Sequence, residues 1–200
     1  IGAFLAAALP SSYAKPYTST GRGAIPPEMF IGRAKELAAM QDMNGPVFVY
    51  GGRQLGKTAL LQETRNREHD PENGCYALYI ELRNLDAQQS LQKIAAELVY
   101  KNVLSAAVES WEALAAALRT RLENGQQPLR KLMLLLDEAD AFLADCELLD
   151  NRPLEVLKEL RDTVPGKFKF VLAGLRNVVR FNKRLLSRNS VLAQLGHITI

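Results

Sequence analysis

Four apolar residues, Val47-Phe-Val-Tyr50, run without a break into Gly51-Gly-Arg-Gln-Leu-Gly56-Lys57-Thr58, and the helix-forming Ala59-Leu-Leu61 follows. The chain must therefore pass from a buried strand through a glycine-framed turn into a helix. Glycines at both ends let the backbone bend and aim several N–H groups inward. The helix beginning at Lys57-Thr58 adds the positive end of its dipole, about half an elementary charge, at the same spot. The match to G-x-x-x-x-G-K-[ST] makes Gly51, Gly52, Arg53, Gln54, Leu55, Gly56, Lys57, Thr58 and Ala59 candidates for holding a nucleotide polyphosphate. Lys57 would reach the β- and γ-phosphates, and the Thr58 hydroxyl would ligate Mg2+. A plain strand-turn-helix link with a surface lysine would leave unexplained why an apolar strand feeds the loop directly.

Bulk properties leave room for such a domain and little else of note. The 200 residues suit one α/β domain, and 48% hydrophobic with 24% charged residues is ordinary for a globular chain. A net charge of +3 permits nucleic-acid contact without indicating it. The densest basic stretch, Arg176-Asn-Val-Val-Arg180-Phe-Asn-Lys183-Arg184, reads as a solvated helix face. Cys75 and Cys146 stand apart, with His69 and His197 as the sole histidines, so neither a zinc site nor a disulfide framework is indicated. Reduced cysteines fit a cytoplasmic setting. The apolar Ile1-Gly-Ala-Phe-Leu-Ala-Ala-Ala-Leu9 is about half as long as a membrane span and lacks a basic flank. A start without Met and an end within an apparent strand suggest a piece of a longer protein.

Prolines at 10, 16, 26 and 27 predict an extended arm over residues 1–29, with globular order from residue 30 to residue 200. A helix is expected over Arg33–Met43 and a strand over Val47–Tyr50. The apolar run Cys75–Ile80 reads as a second strand, and Asp86 caps a helix whose stripe is Leu91, Ile94, Ala95, Leu98, Val99 and Val103. A further helix spans Trp111–Leu122, capped by Ser110 and closed near Gly125, with Trp111 in the core rather than stacked on a base. Strands at Leu132–Leu136 and Phe168–Ala173, a helix at Leu154–Thr163 and a last strand at Ile198 complete the pattern. Alternating strands and helices predict an α/β three-layer sandwich: a parallel β-sheet flanked by helices on both faces.

Hydrolysis needs a metal-side acid and a group that orients water. Leu132-Met-Leu-Leu-Leu136-Asp137-Glu138 carries two carboxylates to the C-terminal edge of a buried strand, the side on which open α/β sheets bind ligands. Asp137 would hold Mg2+ and Glu138 would act as general base. Asp137-Glu138-Ala139-Asp140 also spells the signature of DEAD-box helicases. That family's loop is Ala-x-Thr-Gly-Ser-Gly-Lys-Thr, however, and its Ser-Ala-Thr is missing from the next strand.

Phe30-Ile31-Gly32-Arg33-Ala-Lys-Glu36-Leu37 resembles the F-[VI]-G-R-x-x-E-L box that opens many AAA+ and STAND-type ATPases, where it lies against the adenine. The resemblance implies that Phe30, Ile31, Gly32 and Arg33 are cofactor-binding residues. Phe170-Val-Leu-Ala-Gly-Leu-Arg176 resembles the sensor strand of STAND proteins, which implies that Arg176 reads the terminal phosphate. Ala173-Gly174 departs from the polar Asn or Thr usual in AAA+ proteins, so sensing would fall to Arg176 or Asn177. The sequence assigns no arginine finger: Arg180, Arg184 and Arg188 are candidates that read equally as surface charges. The resemblance implies an ATP-hydrolysing switch or motor acting on attached domains, able to form a nucleotide-dependent homo-oligomer. A DNA-directed ATPase and a non-hydrolysing nucleotide-binding scaffold are the competing readings.

Overall fold

Each of the central strands alternates its side chains between two cores, and this alternation builds the three layers. In the computed structural model, residues 32–52, 55–124, 129–175 and 195–200 are described. The elements are α1 (Ala34–Gln41), β1 (Phe48–Tyr50), α2 (Lys57–Glu68), β2 (Cys75–Glu81), α3 (Ala87–Tyr100), α4 (Trp111–Asn124), β3 (Lys131–Asp137), α5 (Asp140–Leu148), α6 (Arg152–Thr163), β4 (Phe168–Gly174) and β5 (His197–Thr199). The strands pair in the order β2-β3-β4-β1-β5, all parallel. On one face Phe48, Leu134, Leu136, Phe170 and Leu172 pack against Leu91, Ile94, Trp111, Leu114, Phe142 and Leu157 from α3 to α6. On the other, Val49, Ala77, Met133, Leu135 and Val171 meet Leu37, Met40, Leu60 and Leu61 of α1 and α2. Full burial of each such Leu is worth about 1.5–3 kcal/mol, so both faces must be covered for the sheet to persist.

Local signals account for most boundaries. Asp86 and Gln89 form a reciprocal capping box at the start of α3, and the Ser110 hydroxyl accepts from Ala113 N at the start of α4. Trp111 is buried, with its ring 5.6 Å from that of Phe142, as a core residue should be. Two differences stand out. The stripe of α3 ends at Tyr100, and Val103 is buried beyond it because the N–H groups of Val103 and Leu104 both donate to Leu98 O. The helix α5 was not expected: its nine residues are too few to carry a readable stripe, and Asp140 and Asp145 weaken the pattern. The arm over residues 1–29 lies outside the described residues, as does Gly125.

β4 carries a lysine that an apolar strand would not suggest. Lys169 is fully buried, and its ammonium donates to Ala39 O, Met40 O and Asp42 O at 3.1, 2.9 and 2.6 Å. It thus caps the C-terminus of α1, whose last carbonyls have no partners within the helix. Burial is the main cause that pushes its pKa down to about 8 from the ordinary 10.5, while Asp42 pulls the other way. With the native value below the unfolded one, the folded chain releases this proton first. Stability contributed by Lys169 therefore rises between pH 8 and pH 10.5. The unfolding free energy of the parent minus that of Lys169→Met should grow across this window by up to about 1.4 kcal/mol per pH unit, measured by denaturant titration. A flat difference would exclude a neutralising Lys169.

Candidate nucleotide-binding site

The loop after β1 is shaped by what surrounds it. β5 lies beside β1, with Ile200 N donating to Tyr50 O at 2.9 Å. A Cβ at Gly51 would come within 2.4 Å of Ile200 O, so the main chains meet there and only glycine fits. Gly56 caps α2 with φ +83, a left-handed conformation, and no side chain caps this helix. The first bond into the helix is Leu60 N to Gly56 O. The N–H groups of Lys57, Thr58 and Ala59 are therefore left for an external acceptor, and no acid in the first turn competes with an anion.

Lys57 bridges the loop. Its ammonium donates to Gly51 O at 3.1 Å and Gly52 O at 2.7 Å. Arg33 reaches the same loop from the residue before α1, donating to Leu55 O at 2.7 Å and lying 3.6 Å from Glu36. Gly32, with φ +89, supplies the bend just before it. Phe30, Ile31, Arg53 and Gln54 lie outside the described residues, and so do Arg176, Asn177, Arg180, Arg184 and Arg188.

The acidic half arrives on β3. Asp137 is 3% exposed, and its Oδ2 accepts from both the Thr58 hydroxyl at 2.7 Å and the Tyr79 hydroxyl at 2.9 Å. Its Oδ1 accepts from Glu138 N at 2.9 Å. Burial, followed by the charge of Asp137, pushes the Tyr79 hydroxyl far above its usual range, so it stays a donor. Sequence reasoning missed Tyr79. It becomes relevant only through the register that pairs Tyr79 with Leu135 and Glu81 with Asp137, and register is not readable before the sheet is built.

Glu138 sits at φ +55. The other described non-glycine residues at positive φ are Asn or Asp, whose short side chains tolerate it. For glutamate the conformation costs about 1–2 kcal/mol, a strain that structures keep mainly at functional positions. The turn is held on either side: Ala139 N donates to Ala173 O at 2.9 Å, and Leu175 N donates to Asp140 Oδ2 at 2.8 Å. The carboxylate of Glu138 is 40% exposed and lies 3.6 Å from Arg83, which also pairs with Glu81 at 2.9 Å.

Thr58 and Asp137 offer two hard oxygens, and no cluster of three or more His, Cys, Asp or Glu suited to a metal occurs among the described residues. That donor set fits Mg2+, which commonly takes one or two protein ligands and completes its shell with phosphate oxygens and water. It does not fit zinc or a structural calcium site.

A parallel sheet with a glycine-framed loop on β1 and a buried aspartate on β3, with β4 between them, is that of a P-loop nucleotide-binding domain. Residues 41–180 match the AAA domain family, and the chain belongs to it. Its fold is similar to that of the Walker-type ATPase PABY2304 of Pyrococcus abyssi, at 15% identity with a TM-score of 0.59, covering 90% of this chain and 56% of that one. It is likewise similar to the ORC2 protein of Aeropyrum pernix, solved as ADPNP-ADP complexes, at 21% identity with a TM-score of 0.61, covering 90% and 50%. The chain thus spans about half the length of these two structures. No curated protein matches it by sequence. Among the described residues no helix is long and apolar enough to cross a membrane.

Proposed function

We propose that this domain binds Mg-ATP, hydrolyses it, and uses the change to switch or drive attached domains in the manner of STAND and AAA+ proteins. The observation that carries the reading is the 2.7 Å hydrogen bond between Thr58 and Asp137, which ties the start of the loop helix to the end of the acidic strand. Magnesium bound there would neutralise charge on the β- and γ-phosphates. Thr58 and Asp137 would hold it, and Lys57 would exchange its bonds to Gly51 O and Gly52 O for phosphate oxygens. The backbone N–H groups from Gly51 to Ala59, including those of Gly52, Arg53, Gln54, Leu55 and Gly56, would cradle the phosphates.

Glu138 would accept a proton from the water that attacks the γ-phosphorus, as the bond to the β,γ-bridging oxygen breaks. Its exposed carboxylate and left-handed backbone suit this role, because they lift it out of the sheet edge. Gly32 and Arg33, with Phe30 and Ile31, would border the adenine, and Arg176 would contact the γ-phosphate. Contacts to that phosphate exist in one state and not in the other, which is what can bias a neighbouring domain or an oligomer interface.

Titrating the protein with ATP in Mg2+ and then in EDTA, with phosphate release followed in parallel, tests the proposal. Expected are Mg-dependent tightening and slow release of phosphate in step with ATP loss. Equal affinity with and without Mg2+ would remove Thr58 and Asp137 from the metal site. Strong stimulation of turnover by added DNA would favour the DNA-directed ATPase over the switch.

A further inference from the structure

β2 is one of the two edge strands of the described sheet, and beside it the C-terminal halves of α2 and α3 line a cleft of about 290 Å³. Its lining includes Arg65, Asn66 and His69 from α2 and its end, Glu97 and Lys101 from α3 and its end, and Tyr79 from β2. Three nitrogen groups of positive or potentially positive charge thus face one carboxylate. Neither the Arg65 guanidinium nor the Lys101 ammonium forms an ion pair among the described residues, although Lys101 lies 5.0 Å over the Tyr100 ring. His69 Nδ1 accepts from Ala77 N at 3.2 Å, so the neutral ring carries its proton on Nε2 and presents a donor. The His69 pKa is lowered by burial first and then by the charges of Arg65 and Lys101, with Asp70 pulling the other way.

We infer that this cleft is a second ligand site, for the phosphate group of a small phosphate monoester, and that Tyr79 couples it to the Thr58–Asp137 pair. Arg65, Lys101 and His69 Nε2 provide donors for the peripheral oxygens of the phosphate group. Glu97 would accept from a hydroxyl or amine on the rest of the molecule. The volume is that of a site for a small metabolite-sized ligand. Tyr79 lines the cleft while its hydroxyl donates to Asp137 Oδ2 at 2.9 Å. A ligand that displaces the Tyr79 ring therefore changes the second donor on the carboxylate that faces Thr58. The binding claim stands on the cleft alone; the coupling rests on the proposed role of Asp137.

The test uses the full chain, with its two histidines as NMR reporters and His197→Gln to assign them. Glycerol phosphate and, separately, inorganic phosphate are titrated into protein saturated with Mg-ADP, and again into Lys57→Ala, whose loop should not capture phosphate. This second arm keeps the result readable if nucleotide fails to bind. Expected are saturable shifts of the His69 ring with its pKa raised, and at least about tenfold weaker binding in both Arg65→Gln and Lys101→Gln. Glycerol phosphate should bind more tightly than inorganic phosphate, and Glu97→Gln should erase that preference. Bound glycerol phosphate should change Mg-ATP affinity in the parent and leave it unchanged in Tyr79→Phe. A His69 ring unmoved at about 10 mM ligand, identical titrations in the Arg65 and Lys101 variants, or displacement by a short oligonucleotide overturns the site. Binding without any change in Mg-ATP affinity overturns the coupling.

Discussion

Lys57→Ala should lower ATP affinity by a factor of about a hundred or more, measured by calorimetry or a fluorescent nucleotide. The ammonium is the only formal positive charge in the described loop, and it already spans it, bonded to Gly51 O and Gly52 O. A charge-assisted contact to phosphate in a partly desolvated site is worth about 2–5 kcal/mol when one partner is cut away. That magnitude exceeds what the remaining backbone donors can recover. The substitution should not unfold the domain, because alanine is the best helix former and Lys57 opens α2 without entering either core. Circular dichroism separates the two outcomes. If Lys57→Ala binds ATP as well as the parent chain, the loop is not the nucleotide site.

Glu138→Gln should keep ATP binding and reduce turnover by about 10²–10⁴, trapping the ATP state. The amide matches the carboxylate in size and keeps the same backbone demand at φ +55, so the geometry around Asp137 is retained. What it loses is the capacity to take a proton from water, together with the charge that faces Arg83 at 3.6 Å. Binding and turnover should therefore separate in this variant and fall together in Lys57→Ala. Turnover unchanged by the substitution would point to a nucleotide-binding scaffold with no general base at this position.

Both halves of the candidate site were legible because each is written in one short segment. Gly51 to Thr58 specifies its loop through glycine placement, and Leu132 to Glu138 specifies a buried strand ending in acids. The sheet and its two-sided cover followed from strand-helix alternation. Illegible were the features that depend on distant segments meeting. Tyr79 reaches Asp137 only through the pairing of β2 with β3, and Lys169 finds the end of α1 only because β4 passes beneath it. Arg83 likewise meets Glu138 across two strand ends. α5 escaped for the opposite reason, since a local pattern of nine residues carries too little periodicity.

The position of β1 between β4 and β5 has a consequence for the chain as it is made. The strand that feeds the glycine loop leaves the ribosome well before its two neighbours, which pair with it through residues such as Leu172 and His197, far downstream. At about 5–20 residues per second, Val47-Phe48-Val49 waits on the order of ten seconds for partners. During that interval an apolar segment that ends fully buried is open to other chains. The loop acquires its wall at Ile200 only once β5 has been made.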